Sequence, residues 1–442
     1  MADSGGRTTS RRPRRRGFPR RASRLRCFGA GVAGLALAST ALAACGSSGG
    51  SGPVTINYYV FNDVSGSFAT AVSNCSKASG GKYTIVWNKL PAAADDQRLQ
   101  LVRRLAAADP SMDILGLDVT WAPEFAEAGW ILPWTGADKQ QVEAGTLKVP
   151  LQTATWKGKL YAAPANSNTQ LLWYRSDLVK TPPKTWDQMI SDAEALAKQG
   201  KPHLIEIQGA QYEGTTVWFN TMVNSAGGSI LTADASKASL GPPAVKALET
   251  MKRLATSVAA DPSLPVQMED QNRLAMEAGT AAFELNYPFV YPSMKTLQPK
   301  LFPHFKWALY PSVISGKPSR VTIGGLDLAI SKYSQHPQDA FQAALCLRNR
   351  ENQLNAAVKG GLPPTLESLY HDPALFPAYP FHAEILTALQ NASVRPQTPA
   401  YQNISIVISH LVSPPAGIDP VSTEQTMRGQ INEALQSKGL IP

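Results

Sequence analysis

The chain is predicted to fold as an α/β protein with parallel strands, and the order of its first segments supports this class. Val54–Val60 and Tyr83–Trp87 have the β-branched and aromatic residues of strands, and Met112–Leu117 is a third strand-like segment. Helical patterns separate the three strands at Phe68–Ser79 and Asp95–Ala107. Such alternation of strand and helix is typical of a parallel sheet covered by helices.

Later segments extend this pattern. In the helix Asp95–Ala107, the apolar residues Leu99, Val102 and Ala106 are expected to share one face. Thr185 is expected to cap the following helix at Trp186. Further helices are predicted at Trp186–Lys198, Val217–Ser225, 243–256, 270–278, Gln338–Ala357 and Thr423–Gln436, further strands at Leu171–Tyr174, Ala281–Leu285 and Leu326–Ile330, and a polar turn at Asn166–Gln170.

The first 44 residues have the three parts of an export signal. Ten arginines between Arg7 and Arg26 precede the apolar or small residues Phe28–Ala44, and a polar, glycine-rich run follows. The end of this leader, Leu42-Ala43-Ala44-Cys45, resembles the lipobox of bacterial lipoproteins, which implies acylation of Cys45 and attachment to the outer face of the cytoplasmic membrane. An uncleaved membrane anchor is the alternative, although the segment is short for a span. Arg20-Arg21 leaves the export route, Sec or Tat, open.

The charge and the cysteines are interpreted with this leader set aside. It holds ten of the 42 basic and one of the 33 acidic residues, which leaves 32 of each in the remainder and no net charge. A neutral body has no general attraction to nucleic acid. Of the four cysteines, Cys27 lies in the leader and Cys45 is the lipidation site, so Cys75 and Cys346 are left as a candidate disulfide in an oxidising compartment. Two separate buried thiols are the alternative.

Three groups of short motifs carry a family resemblance. They are Lys157–Tyr161 with Pro164, Trp173-Tyr174 and Asp177-Leu178; Pro183 with Thr185-Trp186; and Gly324-Gly325 with Ala340-Phe341 and Gly360–Pro363. In this order the motifs resemble the carbohydrate-binding lipoproteins of bacterial ABC importers. The stretches DQRLQLVRRLAAAD, LDVTWAPEFAEAGW, LYAAPANSNTQLLWYRSDLV, VWFNTMVNSAGGS and VTIGGLDLAI are similar to the LpqY type, the trehalose-binding lipoproteins of mycobacteria and their relatives.

The resemblance implies a two-lobe, periplasmic-binding-protein-like (Venus-flytrap) α/β fold with hinge crossings and discontinuous domains. A monomer without a cofactor would close over trehalose and deliver it to an ABC permease with its own ATPase. The chain would cross between lobes near 164–172, 320–330 and 390. The expected division is a signal peptide at 1–44, a tether at 45–53, lobe I at 54–165 and 323–390, lobe II mainly at 166–322, and a C-terminal segment at 391–442 that completes the lobes.

Asp118 is the strongest candidate for a ligand-binding residue. It follows the third predicted strand, and open α/β sheets bind ligands at the carboxyl ends of their strands. A helix cap near Trp121 is the alternative role. The resemblance also implies ligand contacts by Asn168, against a plain turn role, and by Asn62 or Asp63 after the first strand, without deciding which of the two points inward.

The remaining candidates come from the resemblance alone. Glu269 matches a binding glutamate, Tyr287 stands where the family carries an aromatic platform, and Arg395 matches an arginine that contacts ligand. Gly324, Gly325 and Leu326 match a loop that brings backbone close to the sugar, which glycine permits. Each has a structural alternative, namely a surface charge for Glu269 and Arg395 and a core aromatic for Tyr287.

A glycosidase is an alternative from a different class of function, besides a binding protein for another sugar-like solute. Two carboxylates flanking a sugar also describe a glycosidase, with Asp118 and Glu269 in those roles. The sequence has no Gly-x-Ser-x-Gly elbow, no His-Glu-x-x-His zinc motif and no P-loop. A non-enzymatic solute-binding protein without a metal is therefore expected, with another disaccharide as the alternative ligand and a scaffold lipoprotein as a third possibility.

Overall fold

The computed structural model describes residues 52–91 and 93–437. The predicted signal peptide, Cys27, the lipidation site Cys45 and most of the tether lie outside the described residues. Within the described ranges, no helix is both long and apolar enough to cross a membrane.

Strands and helices alternate through most of the described chain. The strands are β1 Val54–Phe61, β2 Tyr83–Leu90, β3 Ile114–Asp118, β4 Ile131–Leu132, β5 Thr155–Trp156, β6 Lys159–Leu160, β7 Ala162–Asn168, β8 Leu171–Arg175, β9 Leu204–Glu206, β10 Ala281–Asn286, β11 Phe305–Ala308 and β12 Gly324–Ser331. The helices are α1 Ser67–Ala78, α2 Ala94–Ala106, α3 Ala122–Glu127, α4 Gly136–Glu143, α5 Lys148–Thr153, α6 Trp186–Lys198, α7 Glu213–Ser225, α8 Pro242–Ala255, α9 Glu269–Glu277, α10 Val290–Leu297, α11 Pro337–Leu347, α12 Arg350–Gly360, α13 His382–Gln390, α14 Tyr401–Val412 and α15 Pro420–Leu435.

The protein has the mixed α/β, two-lobe fold that the sequence predicts, and each lobe is built on its own sheet. The first sheet has the order β2-β1-β3-β12-β4, with β7 also paired to β12. Its strands β1, β2 and β3 run in parallel, as the alternating segments indicate, whereas β12 is antiparallel to β3. We call the part built on this sheet the first lobe.

The second lobe is built on a four-stranded sheet of order β11-β8-β10-β9. Its core packs α6, α7 and α8 against the sheet through Trp186, Trp218 and Leu248. The C-terminal helices α14 and α15 join the same core through Ile408 and Ile431. The end of the chain therefore completes the second lobe.

The chain passes from the first sheet to the second after Asn168 and returns before Gly324. It leaves the first sheet at Asn168 and enters the second at Leu171, so the polar turn is only two residues long. It returns before Gly324, and Thr322 pairs with Ser393 beside this return. In the segment 370–390, which the predicted division assigns to lobe I, Phe381 packs edge-on against Trp173 of the second sheet, with ring centroids 5.1 Å apart.

Two details of the helices differ from the prediction. The expected long helix Gln338–Ala357 is two helices, α11 and α12, because the Asn349 side chain caps α12 by accepting a hydrogen bond from Asn352 N at 2.8 Å. In α2 the buried apolar residues are Leu101 and Leu105, while Leu99 is 42% exposed. The 3.6-residue period allows both faces, and packing in the first lobe selects one of them.

Cys75 of α1 and Cys346 of α11 form a disulfide, with their Cα atoms 5.7 Å apart. The bond joins two helices that cover the first sheet, and Cys75 is completely buried. Since 271 positions separate the two cysteines in sequence, the bond closes a long loop of the chain.

Candidate functional site

The carboxyl end of β3 meets the start of β12 and the end of β7 at one edge of the first sheet. Asp118, the last residue of β3, pairs with Leu326, and Gly324 pairs with Asn168 of β7. Three of the segments predicted to contact ligand are therefore neighbours in the sheet. Leu326 itself is buried in the core of the first lobe.

Gly325 occupies a position that only glycine fills without strain. Its φ is +139°, and a Cβ atom there would lie 2.3 Å from the Asn166 carbonyl oxygen. The register between β12 and β7 shifts just after this position, between Leu326 and Asp327. The glycine therefore allows the close approach of two backbones at the site edge.

One oxygen of the Asp118 carboxylate is fully engaged. Oδ1 accepts hydrogen bonds from the Thr120 backbone N–H at 3.0 Å and its hydroxyl at 2.8 Å, and from Arg395 Nη2 at 3.0 Å. The side chain is 21% exposed, and Oδ2 accepts no hydrogen bond from any described residue. Helix α3 begins without a side-chain cap, so capping is not the role of Asp118.

Arg395 links the two lobes electrostatically. Its guanidinium binds Asp118 of the first sheet through Nη2 and Glu213, the first residue of α7, through Nη1. The arginine side chain is only 2% exposed. The two carboxylates outweigh the effect of burial and hold the pKa of this guanidinium well above its usual value.

Glu213 is a largely buried acid, 12% exposed, that the sequence analysis did not identify. Besides Arg395, it accepts hydrogen bonds from the Tyr401 hydroxyl and the Ser405 hydroxyl of α14. Burial raises the pKa of the Glu213 carboxyl, and Arg395 opposes that effect. In sequence, a glutamate at a helix start is indistinguishable from an ordinary exposed first-turn acid, so only the fold shows that Glu213 belongs to this site.

Glu269 and Tyr287 lie close to this ion-pair cluster. Glu269 is the first residue of α9, and its carboxyl lies beside the Tyr212 hydroxyl; burial raises its pKa. Tyr287 follows β10, and burial, then the Glu269 carboxylate, raises the pKa of its hydroxyl, while Arg395 opposes this. The Asp118 and Glu213 carboxylates also act to raise the pKa of the Tyr287 hydroxyl.

Asn62 and Asp63 have different surroundings at the end of β1. The Asp63 carboxylate accepts hydrogen bonds from Ser65 N at 2.9 Å, Phe68 N at 3.0 Å and Ser67 Oγ at 2.8 Å. Burial acts to raise the pKa of Asp63, but these hydrogen bonds outweigh it and hold the pKa below its usual value. Asp63 thus fixes the start of α1, whereas the Asn62 side chain is exposed.

A chain of buried amides supports the second lobe behind the crossing at 169–170. Gln170 donates to Gln208 at 2.7 Å, and Gln208 donates to Asn272 at 2.7 Å. Asn272 donates to Gln267 at 2.9 Å, which in turn donates to Glu206 at 2.7 Å. Such a network fixes the crossing segment, because an unpaired buried polar group is destabilising by about 1–3 kcal/mol.

The cluster has the chemistry of a site for a polar, hydroxyl-rich molecule. It combines carboxylates, tyrosine hydroxyls and one guanidinium, and sugar hydroxyls both donate and accept hydrogen bonds. Among the described residues, no group of three or more His, Cys, Asp or Glu side chains is placed to hold a metal ion. The fold and this site define a two-lobe binding protein whose polar groups meet between the lobes.

Comparison with known proteins identifies the family. The model of the bacterial extracellular solute-binding protein family matches residues 79–353, more than half of the chain, so the protein belongs to this family. It is the extracellular solute-binding component of an ABC transporter. A probable ABC transporter-binding protein of Deinococcus radiodurans is 27% identical over 338 residues, covering 73% of this chain and 78% of the relative.

The solved structures give the same result for the fold. The maltose-bound MalE3 of T. maritima has a TM-score of 0.76 and 27% identity, covering 87% of this chain and 99% of that one. The GacH receptor of Streptomyces glaucescens, with a TM-score of 0.77 and 18% identity over 88% of this chain, shares the fold. A short stretch of 125 residues, 28% of each chain, is 31% identical to thiaminase-1 of Paenibacillus thiaminolyticus.

Proposed function

We propose that this protein captures trehalose between its two lobes and delivers it to an ABC permease, and that it does no chemistry on the sugar. The observation that carries the proposal is the Arg395 guanidinium, which joins Asp118 of the first lobe to Glu213 of the second. A ligand that contacts this cluster interacts with both lobes at once. By linkage, such a ligand favours the closed state by the extra contacts it makes there.

The proposed contacts follow from which polar atoms remain free. Asp118 Oδ2 and the Glu269 carboxylate are open acceptors, Asn62 and Asn168 supply amides from the first sheet, and the Tyr287 ring offers an apolar face. Backbone groups of 324–326 complete the first-lobe side of the cleft. The maltose-bound relative supports a disaccharide as the ligand class.

The membrane attachment is part of the same proposal. Acylation of Cys45 would keep the protein at the outer face of the cytoplasmic membrane, next to the permease. The lipobox-like residues Leu42–Cys45 support it. Mass spectrometry of the mature protein would detect a diacylglyceryl adduct on an N-terminal Cys45, and an unmodified or internal Cys45 would contradict it.

Replacing Asp118 with Ala is expected to abolish detectable trehalose binding in calorimetry while leaving the fold intact. The variant removes the open acceptor Oδ2, and Arg395 keeps its second partner, Glu213, so no buried cation is left unpaired. Asp96→Ala, which removes an exposed carboxylate on α2, is the matched control and should bind like the wild type.

A thermal-shift screen compares trehalose with maltose and other disaccharides. Release of glucose from trehalose is assayed in parallel. Stabilisation of the protein by trehalose without glucose release supports the proposal. Release of glucose would instead favour a glycosidase, and stabilisation by a different disaccharide alone would reassign the ligand. A near wild-type affinity of Asp118→Ala would contradict the proposed site.

A further inference from the structure

The charges around the cleft do not balance. Asp118 and Glu213 share one guanidinium, that of Arg395. Glu269 is a third acid, and its backbone carbonyl accepts a hydrogen bond at 2.9 Å from the amide of Asn286, the residue before Tyr287. An excess of negative charge in a half-buried site is significant, because Coulomb interactions are stronger there than in bulk water. The cleft is therefore predisposed to discriminate between ligands by their charge.

Arg395 forms ion pairs with only two of these three acids. Its Nη1 binds Glu213 and its Nη2 binds Asp118, and the guanidinium is buried. The Glu213 carboxylate also accepts hydrogen bonds from the hydroxyls of Tyr401 and Ser405. The hydrogen bonds of this part of the cluster are satisfied, but one guanidinium between two carboxylates leaves a net negative charge.

Glu269 has no such partner. Among the described residues, no lysine or arginine forms an ion pair with it. The arginine nearest in sequence, Arg273, binds Asp270 at 3.1 Å and Glu277 at 2.7 Å instead. The neighbouring Asp270 carboxylate carries the same charge as Glu269 and acts to raise the pKa of Glu269. Glu269 is thus an uncompensated carboxylate on the second-lobe side of the cleft.

We propose that Glu269 makes the cleft selective for charge, accepting uncharged and ammonium-bearing saccharides and rejecting phosphorylated or carboxylated ones. The inference rests on the proposed sugar-binding function and names the substrate class of that site. An ammonium group supplies the counter-charge that Glu269 lacks, and an ammonium–carboxylate hydrogen bond is stronger than a neutral one. A phosphate brings like charge to the same carboxylate, which is a repulsive device against the wrong ligand.

Calorimetry at pH 7 with three ligands tests this: trehalose, a trehalose with one hydroxyl replaced by an amine, and a trehalose phosphorylated at the same position. We expect the wild type to bind the amine at least as tightly as trehalose and the phosphate at least about tenfold more weakly. Glu269→Gln, which keeps the size and hydrogen-bonding capacity of the side chain, should reduce the amine-to-phosphate affinity ratio by about tenfold. Asp96→Asn, which removes an exposed carboxylate on α2, should leave the ratio unchanged.

The outcomes separate the two proposals. Trehalose binding with equal affinities for the amine and the phosphate, or a ratio that Glu269→Gln leaves unchanged, overturns the charge selection and leaves the sugar-binding function standing. If trehalose does not bind but another disaccharide does, the amine and phosphate forms of that sugar decide the question. Absence of binding by every saccharide overturns both proposals. Should Glu269→Gln not fold, the wild-type ratio decides, and a ratio near one overturns the inference.

Discussion

Individual atoms decide which side chains fit where β12 approaches β7 near Asp118, and Gly325 shows this most directly. Its φ of +139° is uncommon for residues with a side chain, and the neighbouring Asn166 carbonyl leaves no room for one. Asp118 is comparable, since three hydrogen bonds to Oδ1 orient the carboxylate and leave Oδ2 open. At this scale, function depends on which atom of a side chain remains unpaired.

Gly325→Ala is expected to lower the free energy of unfolding by about 2 kcal/mol or more, because it adds backbone strain to a steric overlap with Asn166. Denaturant unfolding measures the change. Gly429→Ala in α15 is the matched control, since no atom lies within 4 Å of its added Cβ. The Gly429→Ala substitution should leave the free energy of unfolding unchanged or raise it, because alanine is more favourable than glycine in a helix interior. Equal stability of the two variants would contradict the assigned strain.

Helix boundaries depend on short polar signals, and the sequence carries some of them more clearly than others. Thr185 is recognisable as a cap before Trp186, and its hydroxyl accepts a hydrogen bond from Gln188 N at 3.1 Å. Asn349 lies inside a continuous helical pattern, so its cap for α12 is evident only once the chain is folded. The choice of buried face in α2 likewise depends on tertiary packing.

Thr185→Ala is expected to destabilise the protein by about 1 kcal/mol, since it leaves an N–H of the first turn of α6 without its partner. Thr185→Ser keeps the hydroxyl and should retain most of the stability. Chemical denaturation of both variants provides the measurement. A Ser variant as unstable as the Ala variant would show that the methyl group, rather than the cap, stabilises this position.

Three buried acids in the two lobes make the stability of the whole molecule depend on pH. Glu206 and Glu284 lie opposite each other on β9 and β10, and Asp327 lies on β12. Burial, the first cause in each case, raises the pKa of all three to about 8. The folded state therefore binds more protons than the unfolded state between the ordinary carboxyl pKa and about pH 8.

Stability is accordingly expected to be highest near pH 5 and to fall as the pH rises towards 9. These acids contribute fully below their unfolded-state pKa, and their contribution is lost as the pH passes through the folded-state value. Urea unfolding at a series of pH values measures this. Glu284→Gln should flatten the profile, because it removes one titrating group. A wild-type profile that is flat or rising between pH 6 and 9 would contradict the assignment.

The sequence by itself determined the fold class, the order of most elements, the strand-end position of Asp118 and the cysteine pair, because local periodicity and strand order are written along the chain. The packing of Phe381 against Trp173 of the second sheet is a contact that no local pattern in the sequence indicates. Only the tertiary structure decided that Glu213 and Arg395 meet Asp118 and that Asp63 is engaged in its own loop while Asn62 is exposed. It also decided that Glu269 has no ion-pair partner among the residues the structure describes. The physical reason is that ion pairing and burial depend on distances between residues far apart in sequence, which no local pattern encodes.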